Sequence, residues 1–165
     1  MKFDLLPILN ADGRRLPLNL ELDFAGREEQ GARFLTPVSV TGEFVNIGGS
    51  IELEAAASCI MEYSCDRCCE TFKSDFSCSF KEIFKKEDSR VEDAQNPDAV
   101  VLKGTEIEID EIVLANVLVN LPTKRLCHED CKGLCPNCGN NLNQSSCNCD
   151  TRPADPRFDI LDKLL

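Results

Sequence analysis

Cys135-Pro-Asn-Cys138-Gly139 is the pattern in this chain with the most definite chemistry. A tight turn of the form C-P-x-C-G aims two thiolates at one point and lets backbone amides donate to the sulfurs. Zinc takes four such ligands at about 2.3 Å in a tetrahedron. Cys147 and Cys149 arrive after eight intervening residues, near enough to complete a compact four-thiolate site with Cys135 and Cys138. Two looser pairs are Cys127/Cys131, just upstream, and Cys65/Cys68, in the middle of the chain. Three arrangements are open for them. They form a second four-thiolate site together, or residues 127 to 149 alone build a six-thiolate, two-ion cluster, or the extra pairs carry no metal or exchange partners.

Eleven cysteines need a reason. Disulfide frameworks belong to oxidising compartments and favour even counts. The first ten residues, MKFDLLPILN, lack the charged, apolar and small-residue segments of a secretory signal. No apolar run approaches the roughly 18 residues of a membrane span. The expectation is therefore a cytoplasmic, non-membrane protein whose thiols bind one or two structural zinc ions. Cys59 and Cys78 fall on apolar strand faces and read as core residues. Cys69 adjoins Cys68, but a C-x-x-C turn uses 65 and 68. His128, the single histidine, reads as an exposed loop residue beside six competing thiols.

Enzyme chemistry finds little support. With one histidine, acid–base work would fall to carboxylates, and no paired set stands out. There is no glycine-rich phosphate loop. The C-x-x-C pairs lie in a hairpin and an irregular tail, not beside the βαβ pattern of a thioredoxin-like site. Cys131, Cys135 and Cys138 do have a spacing that can hold an iron–sulfur cluster. A redox or iron–sulfur protein using the same thiols is thus the alternative from a different class.

The elements that must position these thiols follow from periodicity. Val38, Val40 and Phe44 share one face of a period-two stretch, and Gly48-Gly49 marks a turn after it. Ile51, Leu53, Ala55, Ala57, Cys59, Met61 and Tyr63 line one face of the next. Phe72, Phe76, Cys78, Phe80 and Phe84 line a third, with Cys65–Glu70 breaking the pattern between. These predict an antiparallel β-meander with a Cys-rich tip. Residues 1–9 and 14–24 could add strands, joined by a hairpin turn at Asn10–Gly13. Lys85–Asp98 reads as a charged linker, and 99–102 and 106–109 as short strands. Asp110 is placed to N-cap a helix over 112–121 that Pro122 ends. Asp155-Pro156 opens a short C-terminal helix with Phe158, Leu161 and Leu165 on one face. The fold class is α+β: an antiparallel meander, one or two helices, and a C-terminal Cys-rich zinc-binding module.

Charge divides the chain in the same place. Residues 1–120 hold 12 Lys and Arg against 23 Asp and Glu, while residues 121–165 hold six of each, for a net charge of −11. The expected organisation is an acidic β-rich body over 1–120 ending in a helix, then a zinc-binding tail over 121–165. An acidic body repels phosphate backbones and attracts basic proteins.

Several of these strings together resemble the bacterial YceD-type family of large ribosomal RNA subunit accumulation proteins. They are Cys65-Asp-Arg-Cys68, Ile109-Asp-Glu-Ile112 leading to Asn120-Leu-Pro122, and Cys131-Lys-Gly-Leu-Cys-Pro-Asn-Cys-Gly139. Asn141-Leu-Asn143, Cys147-Asn-Cys149 and Asp155-Pro-Arg157 complete the set. The resemblance implies a non-enzymatic role in accumulation and processing of large-subunit ribosomal RNA during ribosome assembly. It also implies that the C-terminal cysteines, which not all members carry, are structural. The partners expected are ribosome-assembly components, foremost a basic protein, with ribosomal RNA contact secondary through Lys124, Arg125, Lys132, Arg152 and Arg157. A zinc-ribbon adaptor in another RNA process is a further alternative.

Overall fold

A computed structural model describes residues 1–86, 99–102 and 104–149. The chain divides into two compact units, one of Met1–Tyr63 with Lys73–Thr123 and one of Ser64–Phe72 with Lys124–Leu165. The fold is α+β. Nine strands and two helices run in the order β1 (Lys2–Asp4), α1 (Leu6–Leu9), β2 (Arg15–Leu22), β3 (Glu28–Glu29), β4 (Ala32–Phe34), β5 (Val38–Ile47), β6 (Ser50–Ser64), β7 (Thr71–Lys86), β8 (Val100–Leu102), β9 (Glu106–Glu108) and α2 (Ile109–Val119), counted among the described residues.

The three alternating stretches become β5, β6 and β7, neighbours in one sheet. Gly48 and Gly49 both have positive φ, 59° and 89°, which a two-residue hairpin turn with the twist of its strands requires. The turn sets Ile47 opposite Ser50 and carries the register down to Ser39 opposite Ser58. Gly42 stands opposite Ala55, where a Cβ would come within 2.7 Å of the Ala55 Cα, so only glycine lets the strands close there. β6, 15 residues long, pairs with β5, β4 and β7. Its inward row, Ile51, Leu53, Ala57, Met61 and Tyr63, is almost wholly buried. Across it, Phe44 stacks on Phe3 at 5.2 Å and tilts against Phe84 at 6.3 Å. The lone buried polar side chain among the described residues, Asn46, is satisfied: its amide donates to the Ile8 carbonyl at 2.6 Å and its oxygen accepts from Gly49 N–H at 3.1 Å.

Four expectations change. Residues 1–9 give only the short β1. Asp4 accepts the Leu6 amide at 2.9 Å and the chain turns into α1, burying Leu5 and Ile8. The Asn10–Gly13 turn therefore leads from α1 into β2, while β1 pairs with the distant β9. β8 joins β7 in parallel, so the sheet is not a pure antiparallel meander. Helix α2 begins at Ile109 with Glu108 at its N-cap, and Asp110 does not cap it; its carboxylate instead takes the N-terminal ammonium at 2.6 Å, which holds its pKa below the usual range. The β3–β4 hairpin, turning at Gln30-Gly31 with φ of 50° and 72°, had no sequence expectation because its strands are too short to show a period.

Helix α2 buries Ile109, Val113 and Val117, four residues apart on one face. Asn116 donates to Glu82 on β7 at 2.7 Å. No helix among the described residues is long and apolar enough to cross a membrane. The linker expected over 85–98 falls mostly outside the described residues, and the C-terminal helix expected at 155–165 lies entirely outside them.

Phe44 is fully buried and touches aromatic rings from two other strands. Phe44→Ala should therefore cost about 3–5 kcal/mol in urea unfolding of the first unit. A loss below about 1 kcal/mol would show that the three-ring contact does not hold this core.

Candidate metal centre

The same turn is built twice in the second unit. After β6, Cys65 N–H donates to Glu70 O at 2.9 Å and Cys69 N–H donates back to Cys65 O at 2.9 Å. In the tail, Cys135 N–H donates to Asn140 O at 2.8 Å and Gly139 N–H to Cys135 O at 2.9 Å. Each turn needs a positive φ just after its second cysteine: 61° at Cys69 and 72° at Gly139. The tail turn has glycine there. The hairpin turn has a cysteine, held in a region that costs a non-glycine residue about 1–2 kcal/mol. That position accounts for Cys69: its backbone closes the turn, and its thiol belongs to neither thiol group.

Each turn gathers a second pair of thiols. The sulfurs of Cys65, Cys68, Cys127 and Cys131 lie within 4.8 Å of one another, and so do those of Cys135, Cys138, Cys147 and Cys149. All eight sequence-predicted ligands are thus brought together, as two groups of four. Cys65 and Cys131 sulfurs are 3.8 Å apart and Cys68 and Cys127 sulfurs 3.7 Å. Four sulfurs at 2.3 Å from a central zinc form a tetrahedron with edges of about 3.8 Å. A disulfide would need about 2.05 Å, and all eleven cysteines are free thiols. The spacing is that of ligands around an ion, and both groups could hold a metal.

The electrostatics point the same way. Burial works against a Cys65 thiolate, but the amides of Cys127, Cys68 and Arg67 donate to its sulfur and bring its pKa down to about 6. The Cys138 and Asn137 amides do the same for Cys135, also to about 6. At the other extreme, burial and then the Cys131, Cys68 and Cys65 sulfurs push Cys127 up to about 12. Cys149 reaches about 12 because of the Cys138 sulfur, then burial, then the Cys135 sulfur. In each group the protein prepares one thiolate and disfavours the last. A cation among them would supply the charge that lets all four ionise.

Four residues that the sequence reading gave no task hold the loops in place. Asp66 exchanges two hydrogen bonds with Arg125: its N–H donates to Arg125 O at 2.8 Å and its carboxylate accepts Arg125 N–H at 2.6 Å. Arg67 donates to Cys131 O at 2.7 Å and Glu129 O at 3.3 Å, while its own carbonyl accepts Leu134 N–H at 3.0 Å. Glu70 accepts from Asn141 at 3.0 Å and Gln144 at 2.5 Å. Asn143 accepts Lys132 N–H at 2.8 Å and donates to the Cys131 sulfur at 3.2 Å. Asp66, Arg67 and Asn143 sit inside strings noted above, so a signal existed, but a spacing rule for thiols assigns no role to polar residues. Gly133, with φ of 77°, lies so close to Arg67 that a Cβ would come within 2.9 Å of its carbonyl oxygen.

The two groups differ in shelter. Cys65, Cys68 and Cys131 are buried and pack with Phe72, Leu126 and Cys127, whereas Cys138 is exposed and Cys147 and Cys149 are half-buried. His128 places Nδ1 3.1 Å from the Cys127 sulfur, outside the four-thiol group. Cys59 and Cys78 stay on β6 and β7, half-buried, and burial followed by the nearby Cys78 pushes Cys59 up to about 11. Replacing the strained residue gives a direct check on the turn. Cys69→Gly should raise the stability of the second unit by up to about 1 kcal/mol in denaturant unfolding, with metal content unchanged. Loss of metal in that variant would show that Cys69 is itself a ligand.

Residues 53–165 match the family model described as large ribosomal RNA subunit accumulation protein YceD. Curated relatives include Rv2926c and MT2996 of Mycobacterium tuberculosis and Mb2951c of Mycobacterium bovis, each named only as an uncharacterized protein. Each is 30% identical over 113 residues, covering 67% of this chain and 52% of the relative. The chain therefore spans about half the length of the curated relatives it matches. No solved structure matches significantly. The matched stretch contains both thiol groups and the strands β7, β8 and β9 with α2, and on that match the chain belongs to the YceD family.

Proposed function

We propose that this protein is a non-enzymatic factor supporting the accumulation and processing of large-subunit ribosomal RNA during ribosome assembly, with two structural zinc ions in its second unit. The description of the family supports the ribosomal role. The metal reading rests on the two sets of four mutually close sulfurs, spaced as tetrahedron edges. Four protein thiolates saturate a tetrahedral ion and leave no open position for water or substrate, which is the mark of a structural site. Held this way, the ions would fix the Ser64–Phe72 loop to the tail from Lys124 and supply folding free energy to a unit with few buried apolar residues.

The partner chemistry follows from charge. Residues 1–120 carry 23 acidic against 12 basic side chains. Such a surface favours a basic protein, a ribosomal protein or a processing factor, over bare RNA. Contact with ribosomal RNA would be secondary. The protein acts in the cytoplasm on this reading, where thiols stay reduced.

A redox or iron–sulfur protein remains a second reading because a four-thiolate site also fits iron. Freshly purified protein should be colourless and hold two zinc ions per chain by elemental analysis; visible charge-transfer bands would establish iron and sink the zinc reading. Cys68→Ser and Cys138→Ser should each remove one ion and open the second unit to protease while β5, β6 and β7 stay protected. A deletion strain should show a deficit of large ribosomal subunits on sucrose gradients, restored by the intact gene. Normal subunit ratios would refute the assembly role, and a defect in transcription alone would favour an adaptor in another RNA process.

A further inference from the structure

One surface of the first unit is explained neither by the sheet core nor by the thiols. A groove of about 620 Å³ lies between β8, β9 and the start of α2. Val101, Ile107 and Ile112 contribute apolar lining, and Glu106, Glu108 and Glu111 contribute carboxylates. β8 pairs only with β7, and β9 only with β1, among the described residues. Among the described residues, strand β8 is thus an edge. Natural proteins usually protect an exposed edge with charge, proline or a covering element. The sequence of β8 is Val100-Val101-Leu102, and Val100 and Val101 are 41% and 54% exposed. Consecutive strand residues point to opposite faces, so Val100 and Val101 expose both sides at the start of this strand, while Leu102 is buried.

The charges around the groove have one sign in excess. Glu106 pairs with Lys2 at 3.0 Å, and Glu108 adds to the field that raises the Lys2 pKa. Asp110 is taken by the N-terminal ammonium. Glu111 is exposed and has no ion-pair partner among the described residues. An apolar floor beside a strand edge left unpaired among the described residues, with carboxylates along the rim, matches a strand whose apolar residues alternate with lysine or arginine.

We propose that this groove is the docking site for an extended segment of a basic protein, which adds a strand to β8 and sets its cations against Glu108 and Glu111. Main-chain hydrogen bonds to the β8 edge would give affinity, and the alternate side chains would give selectivity. Nucleic acid is disfavoured here because carboxylates face the ligand. The inference deepens the basic-partner reading above and depends on it for its biological meaning, but the groove can be tested without a ribosome.

The probe is a fluorescein-labelled, end-capped peptide of alternating lysine and valine, titrated into the full chain by anisotropy at low salt. Saturable binding is expected, weakened about tenfold by Glu108→Gln/Glu111→Gln and by added salt. The control Glu21→Gln/Glu28→Gln removes two carboxylates that do not line the groove and should keep the affinity. Equal weakening in both variants would reduce the effect to general charge attraction and overturn the proposal. So would absence of saturable binding, as expected if residues 87–98 of this chain fill the groove, or a single-stranded RNA that competes with the peptide. The Gln variants alter exposed residues, and an unchanged melting curve confirms that folding is not the cause. If the deletion strain has normal ribosomes while the peptide result holds, the assembly role fails and the groove stands. A ribosome defect with no peptide binding is the converse.

Discussion

Four sulfurs crowded within 4.8 Å cannot all be thiolates without a positive charge among them, and the second unit is organised around that constraint. Backbone amides lower one thiol in each group to about 6, and neighbouring sulfurs help push another to about 12. The geometry is therefore prepared for a cation on one side only. The amides set where the first negative charge settles, and a cation would be needed for Cys127 and Cys149 to ionise as well. This is why the loop after β6 and the tail, 59 residues apart at Cys68 and Cys127, have a physical reason to meet.

The polar contacts around the thiols serve that meeting. Asp66 and Arg67 grip the tail backbone at Arg125, Glu129 and Cys131, and Glu70 receives the amides of Asn141 and Gln144. Asn143 reaches from beyond the tail turn to the Cys131 sulfur, so a residue near one thiol group hydrogen-bonds a thiol of the other. The two groups differ in exposure. The sheltered group packs on Phe72 and Leu126; the other, with Cys138 exposed, faces solvent.

The first unit is stabilised by different physics. Its strands bury continuous rows of aliphatic and aromatic side chains, and its polar surface is strongly acidic. The family to which the chain belongs is described as that of a large ribosomal RNA subunit accumulation protein, and residues 1–120 carry 23 acidic against 12 basic side chains.

Local patterns carried much of this on their own. Alternation over Val38–Phe44, Ile51–Tyr63 and Phe72–Phe84 marks β5, β6 and β7, because a strand with one buried face must repeat every two residues. Gly48-Gly49 names its turn, and C-P-x-C-G names a thiol turn, since both depend on conformations only a few residues apart. Tertiary structure decided the rest. The choice of Cys127 and Cys131 as companions for Cys65 and Cys68, the pairing of β1 with β9 and the parallel approach of β8 to β7 all join residues far apart in the chain, where local propensity carries no information. Asp110 shows the limit most plainly. Its residue type suits a helix cap, but the N-terminal ammonium arrives from the other end of the sequence and claims the carboxylate.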